Sequence, residues 1–113
     1  KVTTLNSCFY VDSYLVTIEK IILNNNGDQI LTNAFYGCSA LENLIVEGTI
    51  GYDGFSVQHS TKLTHNSLMS IINSLEDNSG TDTWKVINLG SENIAKLTEQ
   101  ELAIMNNKQW EYG

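Results

Sequence analysis

Proline is absent from the 113 residues, and cysteine occurs only at Cys8 and Cys38. Without proline, turns fall to other residues, and the abundant asparagine, as at Asn24-Asn25-Asn26, marks a turn-rich, repetitive surface. Two cysteines allow one disulfide at most; the simpler reading is two small buried apolar side chains. A bridge would require Cα atoms within about 7 Å, which spacing alone does not establish. Positive charge is scarce too, with six bases against thirteen acids and a formal charge of −7. No basic cluster offsets it locally, which argues against nucleic acid and anionic membrane as partners. No apolar run approaches the roughly 20 residues that cross a bilayer, so membrane insertion is not expected. The chain opens at Lys1 without a signal-peptide pattern, and is expected to be a mature or partial segment of a longer protein.

What is present suits one folded domain: 42% hydrophobic and 17% charged residues. The segment Ile18-Glu19-Lys20-Ile21-Ile22-Leu23 recurs as Leu41-Glu42-Asn43-Leu44-Ile45-Val46, an offset of 23. Upstream, Leu5-Asn6-Ser7-Cys8-Phe9-Tyr10 is echoed by Leu31-Thr32-Asn33-Ala34-Phe35-Tyr36 at an offset of 26. A three-residue insertion near Val16 would reconcile the two. The same apolar spacing returns in Tyr52-Asp53-Gly54-Phe55-Ser56-Val57 and Trp84-Lys85-Val86-Ile87-Asn88-Leu89. Four short strands of this kind predict a stacked parallel ladder, since one unit cannot bury its own apolar face.

The spacing is uneven. Leu41 and Tyr52 are too close for a full coil, so Gly48-Thr49-Ile50-Gly51 reads as a strand extension and tight turn, with irregular pairing of the third strand. Between Tyr52 and Trp84 lies a helix, with Thr64 as N-cap and Leu68, Ile71, Ile72 and Leu75 on one face. A second helix begins at Thr98, where Glu101 completes a capping box and Leu102, Ile104 and Met105 form the apolar face. A short helical turn over residues 91–97 would pack Ile94 and Leu97 inward, and Trp110 would close the core. Residues 1–63 are thus repeat units, and residues 64–113 a helix-strand-helix cap with a polar outer face.

One stretch carries a resemblance: Asn33-Ala34-Phe35-Tyr36-Gly37-Cys38-Ser39-Ala40-Leu41-Glu42-Asn43-Leu44. It resembles the BspA-type leucine-rich repeat, with Ala34, Phe35, Gly37, Cys38 and Leu41 matching its AF-x-GC-x-x-L signature. In the preceding unit Phe9 and Leu15 match, while Val11 and Asp12 replace the glycine and cysteine. The segments Leu63-Thr64-His65-Asn66-Ser67-Leu68-Met69-Ser70-Ile71-Ile72, Leu89-Gly90 and Ala95-Lys96-Leu97-Thr98 resemble terminal regions of such proteins in low-GC Gram-positive bacteria and their prophages. The resemblance implies an α/β fold, a short leucine-rich-repeat solenoid with a parallel strand ladder and a C-terminal helical cap. It implies a secreted or cell-surface, adhesin-like module that binds protein or glycan on a host or neighbouring bacterial surface. It brings no catalytic residues. The alternative is a purely structural cap for upstream repeats, in a surface protein or a prophage virion protein. In this frame Phe35 is expected to stack on Phe9, and Cys38 to point inward.

The chain offers little for catalysis or cofactors. His59 and His65 lie near Asp53, but no HxH, HExxH or CxxC spacing accompanies them, so no metal site is expected. Ser67 and Ser70 near His65 read as capping or solvent-facing residues of a helix start rather than nucleophiles. Glycines such as Gly37, Gly51, Gly54 and Gly90 read as turn residues and form no phosphate-binding motif. A binding face is the better candidate. Inward positions are Ile18, Ile21, Leu23, Leu41, Leu44, Val46, Phe55, Val57, Trp84, Ile87 and Leu89. The outward alternation then aligns Lys20, Ile22, Asn43, Ile45, Ser56, Val86 and Asn88 into one mildly apolar, amide-flanked, ligand-facing stripe.

Overall fold

In the computed structural model of the chain, residues 14–24 and 35–113 are described. The first repeat unit with Cys8, Phe9, Val11 and Asp12, the Phe9–Phe35 stack, and residues 31–34 of the second unit lie outside them. The chain is a mixed α/β protein whose described strands form two parallel sheets and no closed barrel.

The first sheet pairs β1 (Thr17–Asn24) with β2 (Asn43–Thr49), both rich in β-branched residues that suit a pleated, half-buried surface. Ile18 stands opposite Leu44 and Ile21 opposite Val46, with an irregularity between them. Pairing therefore starts three residues further along than the echo that matches Ile18 to Leu41. The Val16 carbonyl accepts from the N–H of Glu42 (2.8 Å) and of Asn43 (3.1 Å), so no insertion near Val16 is needed. Leu41 is buried, but in the turn before β2, where its N–H donates to the Cys38 carbonyl at 3.3 Å. Near the end of the pair Gly48 sits opposite Leu23 at φ 88°, and a Cβ there would lie 1.9 Å from the Leu23 carbonyl oxygen. Only glycine fits that approach.

The second sheet runs in the order β3 (Phe55–Ser56), β4 (Lys85–Asn88), β5 (Trp110–Tyr112). Parallel neighbours need long crossovers. Helix α1 (His65–Asn73) lies in the first, and α2 (Ser91–Ile94) and α3 (Glu99–Asn107) lie in the second. Phe55 pairs with Ile87 and Ser56 with Asn88, at the spacing that the sequence echo between residues 52–57 and 84–89 marks out. Strand β5 is an addition to the expected elements. Gln109 enters it at φ 62°, secured by side-chain bonds from Nε2 to the carbonyls of Thr81 (2.8 Å) and Thr83 (2.6 Å).

Trp84 departs from its expected inward place and is 50% exposed. It precedes β4, and an odd step of three residues from the buried Ile87 puts it on the opposite side. The inward place beside Trp110 goes to Lys85, which pairs with Trp110 in register. Its Nζ donates to the Gly51 carbonyl (2.6 Å) and to Glu76 (2.6 Å), 5.9 Å from the centroid of the Trp110 ring. Trp110 is fully buried, and its indole N–H donates to the Glu76 carbonyl at 2.8 Å.

Helix α1 starts where Thr64 Oγ1 accepts from the Ser67 N–H (3.2 Å), and it buries Leu68, Ile71 and Ile72, followed by Leu75. At α3 the Thr98–Glu101 capping box is complete, Met105 is buried, and Leu102 and Ile104 are half-buried. Ser67 and Ser70, expected to cap or to face solvent, instead dock α1 along the far edge of β2. Ser67 Oγ accepts from Leu44 N–H (3.0 Å) and donates to the Glu42 carbonyl (3.3 Å). Ser70 Oγ accepts from Val46 N–H (3.1 Å), and its one O–H is shared between the Ser67 carbonyl (2.7 Å) and the Leu44 carbonyl (3.1 Å). Ser74 Oγ donates to the Val46 carbonyl at 3.1 Å. A hydroxyl is both donor and acceptor, so each serine can do the work of a missing strand. Steps of three and four helical residues advance about 4.5 and 6 Å. Two strand residues advance about 6.6 Å, close enough for the serines to follow alternate residues of β2. The helix stands where another strand would, and the two sheets separate there.

Candidate functional site

The seven residues expected to form one stripe are divided between the sheets. On β1–β2, Lys20 Nζ lies 3.4 Å from Glu47, and Asn43 Nδ2 donates to Thr17 Oγ1 at 3.3 Å. Ile22 is 67% exposed but stands opposite Glu47 rather than Ile45, which is half-buried. Apolar and charged groups are therefore interleaved on that face. On β3–β4, Ser56 and Asn88 are direct cross-strand partners, and Val86 is exposed opposite Glu111. Ser56 and Asn88 also line a cleft of about 250 Å³ that brings in residues from other parts of the chain.

The floor of that cleft includes Phe35, buried with its ring edge-on to Phe55 (centroids 6.0 Å apart, planes at 73°). Because Phe35 turns into the core, the adjoining Tyr36 is left outside it, exposed, with its ring 4.5 Å from that of His59. Tyr52, Asp53 and Gly54 supply another wall. Their turn is hooked onto β4 at two points: Val86 N–H donates to Asp53 Oδ1 (2.8 Å), and Gly54 N–H donates to the Val86 carbonyl (2.7 Å). Gly54 adopts φ 94° there. Gln58 follows Val57, whose N–H donates to the Asn88 carbonyl at 2.9 Å and continues the β3–β4 pairing. The lining thus combines two tyrosines, a histidine, a carboxylate, two carboxamides and a hydroxyl, with no lysine among them.

Ser56, His59 and Asp53 share this cleft without forming a relay. Asp53 Oδ1 is engaged by the Val86 amide, the His59 ring lies against Tyr36, and no hydrogen bond joins His59 to Ser56 or Asp53. Nucleophilic catalysis needs base and nucleophile within hydrogen-bond reach, with the base oriented by a third group. Among the described residues no group of three His, Cys, Asp or Glu side chains converges as metal ligands do. The other histidine is remote from the cleft. His65 Nε2 meets Glu101 Oε2 at 2.7 Å and links α1 to the capping box of α3. The Glu101 carboxyl is held below the usual carboxylate range chiefly by the Thr98 backbone N–H, with burial opposing and His65 assisting.

Strand alternation marks Ser56 and Asn88 as outward positions, whereas the sequence considers Asp53 and His59 only for a metal site that it does not expect. Tyr36, Tyr52 and Gln58 were not singled out. Compared with known protein families, with curated proteins and with solved structures, the chain matches none.

Proposed function

We propose that the chain is a non-catalytic binding module of a BspA-type leucine-rich-repeat protein, secreted or carried on the cell surface of a low-GC Gram-positive bacterium. The parallel strands would be the last turns of a solenoid and α1 to α3 its helical cap. The observation that carries the binding reading is the Tyr36–Asp53–Asn88 cleft. It gathers rings, amides and a carboxylate on a fixed framework, while its potential acid, base and nucleophile remain unconnected. Small, concave sites with a few placed polar groups are the usual form of a ligand pocket. The competing reading, a purely structural cap, draws on the serine contacts that close the open edge of β2.

The two readings part in a screen of the immobilised chain against glycans and extracellular-matrix proteins. A binding module captures a ligand and loses it on Tyr36→Ala with Asn88→Ala, while Ile22→Lys with Ile45→Lys leaves capture intact. A ligand lost only with the Ile22 and Ile45 changes would move the binding surface to the first sheet. Capture of nothing across the screen would leave the structural cap as the better account.

A further inference from the structure

We infer that the cleft binds a neutral saccharide, taking one pyranose ring; this rests on the binding-module reading above and names its ligand. Size comes first. At about 250 Å³ the cleft lies below the roughly 300–1,000 Å³ of pockets for drug-sized molecules, and suits a ligand of a single ring.

Charge narrows the class. The lining holds one carboxylate, Asp53, and the lysines of the described chain are committed elsewhere or absent from the lining. Lys96 Nζ, for example, donates to the carbonyls of Thr61 (2.8 Å) and Leu63 (2.7 Å), and Lys85 to Glu76 and Gly51. Phosphates, sulfates and nucleotides would face the Asp53 carboxylate with no lysine in the lining to offset it. An apolar ligand would strip water from Asp53, Asn88, Gln58 and Ser56 and give nothing in return, at a cost for every unpaired group. A cation could use Asp53 and the tyrosine rings. It would leave two amides and a hydroxyl unused.

A pyranose uses the whole lining. Its axial C–H groups form apolar faces that pack on aromatic rings, which Tyr36 and Tyr52 supply. Its hydroxyls each donate and accept, as neighbouring carboxylate and carboxamide groups require. Two features pre-organise the site. The Val86 amide fixes Asp53 through Oδ1, leaving Oδ2 without a hydrogen bond among the described residues, and the edge contact with His59 restrains the Tyr36 ring. Groups fixed in advance give up less conformational freedom when the ligand arrives.

The test is titration of the intact chain, followed by nitrogen-15 correlation NMR, with a panel of neutral methyl glycosides. Choline, lysine amide and inorganic phosphate serve as counter-ligands. One or more glycosides should bind in the millimolar range, shifting resonances of Asp53, Gln58 and Asn88. Tyr36→Ala and Asn88→Ala should each weaken binding by roughly tenfold. Asp53→Asn, which keeps an acceptor for the Val86 amide, should weaken it less than Asp53→Ala. Unchanged melting temperatures would show that the variants fold. Equal affinity for the methyl glycoside and a longer glycan ending in that ring identifies a free sugar or chain end as the ligand; rising affinity with length identifies an internal unit. Binding of choline, lysine amide or phosphate in place of every glycoside overturns the inference. So does a protein ligand captured without its glycans and indifferent to Tyr36→Ala, although the binding-module reading then survives. If neither glycosides nor proteins bind, both fall.

Discussion

The two sheets obey the same parallel geometry but differ in how faithfully the sequence announces their register. In the second, the spacing shared by residues 52–57 and 84–89 gives the observed pairs, Phe55 with Ile87 and Ser56 with Asn88. In the first, the corresponding echo is displaced by three residues from the pairs that form, and an irregularity between Ile18 and Ile21 shifts them again. The difference follows from what closes each strand. Strand β3 is tied at once to β4 through the Asp53, Gly54 and Val57 backbone and side-chain bonds, so little slippage is possible. Strand β2 is preceded by a turn over Cys38–Leu41 with both ends buried, whose leucine satisfies the same apolar spacing without belonging to the strand. A match of apolar letters therefore reports burial at most of its positions, Trp84 being the exception, and register only where no buried turn residue competes with the strand.

The largest expected effect tests the residue that connects the two regions. Phe35 sits just ahead of the first sheet's β2 turn, yet its ring contacts Phe55 of the second. Phe35→Ala should cost roughly 3–5 kcal/mol in urea denaturation, through lost contacts and a cavity that the surrounding strands fill only in part. Hydrogen exchange should show β2 and β3 loosening together. A cost under about 1 kcal/mol, or loosening confined to one sheet, would mean that the sheets do not share this core.

The next effect separates the regions. Ser67→Ala removes the acceptor of the Leu44 amide and one of two donors to the Glu42 carbonyl, and Ser70→Ala removes the acceptor of the Val46 amide and a donor to the Leu44 carbonyl. Each should cost about 1–3 kcal/mol. The two substitutions should be non-additive, because both serines act on Leu44. Exchange should rise at Leu44 and Val46 and remain slow at Ile87. Uniform loosening of both sheets would show that α1 supports the whole molecule and not the edge of β2.

Much of this architecture is legible in the residues because it depends on local chemistry. Thr64 and Thr98 mark helix starts through side chains that bond amides three residues on. Leu68, Ile71, Ile72 and Met105 fall inward by helical periodicity. The serine contacts escape this kind of reading, since Ser67, Ser70 and Ser74 acquire meaning only once a particular strand edge lies alongside. Strand β5 escapes for a similar reason: three residues show alternation but no length, and Gln109 needs Thr81 and Thr83 to hold its unusual backbone angle. The cleft was half visible. Ser56 and Asn88 follow from strand alternation, whereas Tyr36, Tyr52 and His59 reach it through turns whose direction no periodicity encodes.

The smallest expected effect lies at the junction of α1, docked on the first sheet, with α3, which packs near β5 of the second. Here His65 meets Glu101 at 2.7 Å, and the Glu101 carboxylate also accepts from Thr98 N–H at 2.9 Å. These bonds favour the ionised acid, so its folded-state pKa lies below its unfolded value. The stabilisation is therefore present above the unfolded value of about 4.3 and is lost as pH falls through the folded value. Glu101→Gln retains a capping-box partner but cannot titrate. The melting temperature of the parent chain should exceed that of the variant near neutral pH, and the gap should close on acidification below about pH 4. Exchange rates at Leu44 should not follow this change, since the serine bonds to β2 do not titrate in that range. A gap independent of pH would show that Glu101 acts through its shape alone; a parallel loss at Leu44 would show that the α1–α3 junction and the first sheet open as one unit.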